Sequence, residues 1–116
     1  MTEKDRLKSI KHHLCVLVKR GKRFVAVDKR TKWWPGSVFV PGSGEYFTTE
    51  GAWVFIAKKL NEKGTRIKEV PLKKLPGKKA YELKMPAYKG KIYIKISFGG
   101  TGDTVIGHSF HYSDQK

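Results

Sequence analysis

Near its C-terminus the chain alternates between apolar and polar residues with the period of two that marks a β-strand. In Ile92-Tyr93-Ile94-Lys95-Ile96-Ser97-Phe98 the four apolar side chains share one face, while Tyr93, Lys95 and Ser97 share the other. A second strand, Val105-Ile106-Gly107-His108-Ser109-Phe110-His111-Tyr112, follows across the Gly-rich turn Gly99-Gly100-Thr101-Gly102-Asp103. Ile106 and Phe110 mark its apolar face, which leaves Ser109 and His111 opposite and gives His108 the wrong parity for the open face, that of a hydrogen-bonded core or edge histidine. The expected hairpin gathers a phenol, an amine, a hydroxyl and an imidazole on one open face. Ala80–Met85 reads as the preceding strand, ended by Pro86, with a Tyr88-Lys89-Gly90-Lys91 turn leading into the hairpin. Tyr81 and Lys84 have opposite parity there, so they cannot both face the same way.

The first half changes period. Leu7, Ile10, Leu14, Leu17 and Val18 recur at helical spacing, and Gly21 offers a stop, so residues 5–20 read as a helix. A hairpin of Leu14–Val18 and Phe24–Val27 is the rival, and the sequence leaves both open. Residues 31–45 hold Trp33, Trp34 and two Pro-Gly pairs, a loop-rich stretch around a short strand at Ser37–Val40. Thr48 or Thr49 caps a second helix, whose buried stripe is Trp53, Ile56, Ala57 and Leu60 and whose end is Gly64. Ile67–Val70 is a short strand, and Pro71 to Lys79 a basic loop. Helices first and an antiparallel meander after them define an α+β class, in a single basic domain spanning residues 1–116.

Charge then narrows the partners. There are 25 Lys and Arg against 10 Asp and Glu, a net charge of +15 that costs compaction through self-repulsion and suits a polyanion. No long basic amphipathic helix and no apolar run of spanning length is apparent, so nucleic acid ranks above membrane. The N-terminus lacks the apolar stretch of a signal peptide, and the lone Cys15 suits a reducing compartment, so a cytoplasmic location is expected.

RNA can be cut without metal because its own 2′-hydroxyl attacks the neighbouring phosphate, given a base, an acid and nearby positive charge. His111, Tyr93 and Lys95 supply those groups, and Ser109, Lys84, Lys58, Lys59 and Lys91 are candidate phosphate contacts. The acids form no cluster of the kind a metal-dependent nuclease needs. A zinc site from His12, His13, His108 and His111 is disfavoured by the single cysteine and the distance in sequence between the pairs. Gly42-Ser43-Gly44 lacks the lysine of a phosphate-binding loop and reads as a turn. Trp33 and Trp34 suit base stacking, with one of the two expected in the core.

Tyr93-Ile94-Lys95-Ile96 and Ser109-Phe110-His111 resemble the closing strands of small bacterial toxins with the RelE-type, barnase-like ribonuclease fold. The likeness is greatest to the motility quorum-sensing regulator toxins, and Arg6-Leu7-x-x-Ile10-Lys11 is similar to their first helix. The resemblance implies N-terminal helices before a small antiparallel sheet, a metal-independent endoribonuclease of a toxin–antitoxin system with no cofactor, and a cognate antitoxin beside RNA as partners. It puts Tyr93 at the family's active tyrosine, His111 at its C-terminal acid or base, and Tyr81 near a polar active-site position. Histidine rather than lysine at 111 departs from the pattern, and residues 31–44 have no counterpart. The family's further active-site lysine has Lys58, Lys59, Lys63 and Lys68 as candidates. The alternative is a non-catalytic RNA- or DNA-binding regulatory module, which needs the same charge and not His111. An inhibitor of an acidic protein is a third, weaker reading.

Overall fold

A computed structural model describes residues 2–72, 76–87 and 90–113. The first apolar period forms helix α1 (Glu3–Lys19), capped by Thr2, whose hydroxyl accepts the Asp5 amide at 3.1 Å. Of the rival hairpin only the second half forms, as strand β1 (Arg23–Val25). Strand β2 (Lys32–Trp33) follows, and then a turn of 3-10 helix at Pro35–Ser37; of the strand expected at Ser37–Val40, Ser37 closes that turn and Phe39 forms a single antiparallel bridge with Tyr46. Proline fixes φ and lacks an N–H, so it starts such a turn more readily than a strand. Helix α2 (Thr49–Leu60) is capped by Thr48, whose hydroxyl accepts the Gly51 amide at 2.9 Å. Strands β3 (Lys68–Pro71), β4 (Lys79–Ala87), β5 (Gly90–Gly99) and β6 (Thr104–Ser113) complete the chain. Residues 88 and 89, part of the expected turn, lie outside the described residues.

The class is α+β, and the described residues form two α-helices and one sheet of six strands in the order β1-β6-β5-β4-β3, β2 also pairing with β6. β3 to β6 form the expected antiparallel meander. The sheet as a whole is mixed, because β1 and β2 add to the outer side of β6 in parallel, one after the other. They fall between the helices in sequence and satisfy backbone groups along what would otherwise be a ten-residue exposed edge. Pro86 does not end β4. Among the described residues β3 pairs with 79–82 and no strand pairs with the outer side of β4 at Pro86, so the missing N–H breaks no ladder bond there.

The decisive irregularity lies between β5 and β6. From Gly99↔Thr104 to Ile96↔Gly107 the strands pair residue for residue, and they resume at Lys95↔Ser109, leaving His108 as an extra residue. Cross-strand partners share a face. Before this bulge, Val105 and Gly107 therefore face the helices; after it, Phe110 and Tyr112 do. Ile106 consequently lies on the open side, opposite Ser97, and not with Phe110 as expected.

Both helices pack on the other side. Leu14 and Val18 of α1, Ile56 of α2, and Leu83, Ile92, Ile94, Ile96, Val105 and Phe110 of the sheet are essentially inaccessible and belong to one cluster. Cys15 is buried within it, its thiol 3.4 Å from the Ala57 carbonyl oxygen. Arg23 ties the layers together: its guanidinium donates to the Val18 carbonyl at 3.0 Å, pairs with Glu50, and lies 5.8 Å from the centre of the Trp53 ring. Among the described residues no helix is long and apolar enough to cross a membrane.

Trp33 packs inward, 4.8 Å from Trp53 and 5.5 Å from Phe110 between ring centres. Its indole lies flat over Gly107, where a Cβ would come within 2.6 Å of the ring. Gly107→Ala should therefore destabilise the fold by about 1–3 kcal/mol, as overpacking a core does. Gly36→Ala, where a Cβ meets nothing within 4 Å, should shift stability by no more than about 0.5 kcal/mol. Urea titrations of the two variants check the contrast.

Candidate nucleic-acid interface

The register arranges the open face in rows. One row runs Lys84, Tyr93, His111 across β4, β5 and β6. Trp34 extends it, its amide donating to the Phe110 carbonyl at 2.9 Å and its ring 5.7 Å from that of His111. The next row runs Lys68, Glu82, Lys95, Ser109, Lys32. The third holds Val70, Ala80, Ser97, Ile106 and Phe24.

Tyr93 and His111 are brought together as expected, their ring centres 5.4 Å apart, with the Lys84 ammonium 6.0 Å from the Tyr93 ring centre. His111 Nδ1 lies 2.7 Å from the Tyr112 carbonyl oxygen. A carbonyl only accepts, so Nδ1 carries the hydrogen and the neutral ring keeps its lone pair on Nε2. The Tyr93 hydroxyl donates to Glu82 Oε2 at 2.5 Å. Burial of the phenol, reinforced by that carboxylate, pushes its pKa well above the usual tyrosine range. Lys95 is on the same face two residues from Tyr93, a separation of roughly 7 Å along the strand.

The bulge adds a residue that alternation hid. His108, expected as a hydrogen-bonded core or edge histidine, is hydrogen-bonded, its Nε2 2.7 Å from the Ser97 hydroxyl, but Ser97 belongs to the open-side row. Burial lowers the His108 pKa, the Lys95 charge lowers it further, and Asp28 opposes both. Ser97 is only 1% exposed, so the pair is a structural contact and not an accessible nucleophile.

Other expected site residues are dispersed. Tyr81 pairs with Ile96 and lies on the covered face, where its hydroxyl donates to Glu69 at 3.1 Å. Glu69 is also held by Arg6 at 2.9 Å, so Tyr81 is part of a clamp between α1 and the sheet and is remote from Tyr93 in orientation. Ser109 has the parity of the open face but is buried, which disfavours a direct substrate contact. Lys58 and Lys59 are on α2, behind the sheet. Lys59 nevertheless reaches round the free edge of β4, where it lines an open groove with Arg66, Lys68, Lys84, Glu62 and Glu82; Lys58 does not. Lys91 is exposed on the open face opposite Pro86 and Ser113. His13 is tied to the Gly102 carbonyl at 2.8 Å, and among the described residues no three His, Cys, Asp or Glu side chains group as a metal site requires. Gly42-Ser43-Gly44 forms a turn, as expected, with Ser43 accepting the Glu45 amide.

Glu82 and Lys32 were not among the expected site residues, whereas of the two tryptophans expected to divide between core and base stacking, Trp33 is the inward one and Trp34 the exposed one. Glu82 has the same parity as Lys84, which was the available signal, but its pairing with Lys95 depends on the β4–β5 register. Comparison with protein-family models, with curated proteins and with solved structures finds no match.

Burial, with Glu69 as acceptor, pushes the Tyr81 phenol up to about 12 from an ordinary 10.0. The folded state then holds a proton that the unfolded chain releases, so this stabilisation is complete below pH 10 and is lost as pH rises towards 12. Melting curves across that window should show the wild type losing roughly 1–2 kcal/mol more than Tyr81→Phe, which cannot ionise. Equal alkaline losses would contradict the clamp.

Proposed function

We propose that the protein is a metal-independent endoribonuclease of the toxin type, a variant of the RelE-like fold that works through the open face of the sheet. The observation that carries this reading is the His111 ring: its Nδ1 is committed to the Tyr112 carbonyl, which leaves a basic Nε2 beside Tyr93 on a lysine-rich surface. Nε2 takes the proton of the substrate 2′-hydroxyl as that oxygen attacks phosphorus. Lys95 and Lys84 stabilise the charge developing on the phosphoryl oxygens. The P–O5′ bond breaks, and the leaving oxygen takes a proton from Tyr93, which its surroundings keep protonated throughout the neutral range. Solvent returns a proton to Tyr93 and removes one from His111, and the products are a 2′,3′-cyclic phosphate and a free 5′-hydroxyl. Two helices backing an antiparallel β3–β6 meander agree with the fold the resemblance implies. A basic toxin of this kind would be neutralised by an antitoxin with an acidic segment over the open face.

Glu82 favours a second reading. It occupies the Tyr93 hydroxyl and brings a negative charge among the lysines, where it repels a phosphate. A non-catalytic RNA- or DNA-binding module tolerates such a carboxylate more easily than a nuclease, whose substrate must displace it from Tyr93.

End-labelled mixed-sequence RNA incubated with the protein in EDTA separates the two. The nuclease yields fragments ending in cyclic phosphate, and His111→Ala lowers the rate by about 10²–10⁴-fold with an unchanged circular dichroism spectrum. Full activity in that variant would remove His111 from the mechanism. Intact RNA, bound but uncut both alone and on ribosomes, would leave the binding module.

A further inference from the structure

The open face ends, on its β6 side, in two uncovered aromatic rings. Trp34 is 52% exposed at the end of the His111 row, and Phe24 is 51% exposed at the end of the Ser97–Ile106 row. Phe24 lies in β1 and Trp34 directly follows β2, two short strands that pair with the same edge of β6, and the two rings are separated by roughly 15 Å along it. Between them Lys32 is exposed and pairs with Ser109 on the same face. The neighbouring aromatic residue Trp33 turns into the core, so this rim leaves one indole buried and presents the other. Exposing rings of this size to water is unfavourable, and a surface of net charge +15 attracts few apolar protein partners. An anionic polymer with flat, unpaired bases satisfies both features at once.

We infer that this rim is a stacking track for single-stranded RNA, with Trp34 and Phe24 each taking an unpaired base and Lys32 the phosphate between them. The inference rests on the open face being the RNA-binding face, and it specifies the substrate as unpaired RNA. A base stacked on Trp34 lies next to the His111–Tyr93 pair, so Trp34 sets which nucleotide is presented to them. A duplex cannot use the track, because its bases are stacked on each other and only its phosphates reach the lysines.

The test uses 2′-O-methyl RNA, which lacks the attacking hydroxyl and is not consumed. Binding of a fluorescein-labelled single strand and of its duplex is measured for wild type, Trp34→Ala, Trp34→Phe and Phe24→Ala. Trp34→Ala and Phe24→Ala should each weaken single-strand binding about tenfold, Trp34→Phe should recover most of the loss, and duplex binding should be the same in all four. The single strand should also quench wild-type tryptophan emission, an effect absent from Trp34→Phe; this readout needs only the conservative variant to fold. Unchanged single-strand affinity in Trp34→Ala, or an equal loss for the duplex, overturns the inference. Because cleavage is not read, Trp34-dependent binding by a protein that cuts nothing would sustain the track and remove the nuclease reading. Cleavage without Trp34 dependence would do the reverse.

Discussion

One additional residue in β6 determines which side chains meet on the open face. Without the bulge at His108, the pairing set by the Gly-rich turn would continue past Ile96↔Gly107 to Lys95↔His108, Ile94↔Ser109 and Ile92↔His111. Ser109 and His111 would then point into the helices and Phe110 would point into solvent. With it, Phe110 is fully buried against Phe47 and Trp33, and His111 comes level with Tyr93. The core and the site are thus two consequences of the same shift in register. Burial of Phe110, worth about 2–3 kcal/mol as apolar area alone, gives the shift its driving force.

The parallel strands depend on that register too. β1 pairs with β6 before the bulge and β2 after it, so Phe24 and Trp34 inherit the faces that the two halves of β6 define. Trp33 fills the space above Gly107, a position where any other residue would collide with its ring. The helices contribute by covering the opposite side, with Arg23 and the Arg6–Glu69–Tyr81 clamp joining them to the sheet. Most of the lysines that surround Tyr93 and His111 are therefore left to water, and Glu82, in the row of Lys95, relieves part of their mutual repulsion. A polyanion would relieve it further.

Much of this was legible in the sequence, and the limits have physical causes. Period alone located α1, α2 and the three long strands, because each buries one side against a single core. Tyr93, Lys95 and His111 were placed on one face because Tyr93 and Lys95 alternate with the buried isoleucines of β5 and His111 adjoins the buried Phe110, all on the same side of the register shift. Ile106 was misplaced, and His108 was given its hydrogen bond but not its open-side partner Ser97, because a bulge barely marks a pattern of period two; the adjacent apolar pair Val105-Ile106 before Gly107 was a hint. Tyr81 was given to the site by resemblance, whereas its parity with Leu83 and Met85 puts it in the core. The parallel strands β1 and β2 are so short that pairing across some eighty residues, and not local propensity, forms them.

The register itself is the most direct object of measurement. Backbone nuclear Overhauser effects in isotope-labelled protein report which residues of β5 and β6 are opposite one another. Cross-strand contacts are expected between Tyr93 and His111 and also between Ile96 and Gly107, with His108 opposite no single residue of β5. Contacts between Lys95 and His108 and between Ile92 and His111 would show a continuous ladder, and would contradict both the core and the site described for this protein.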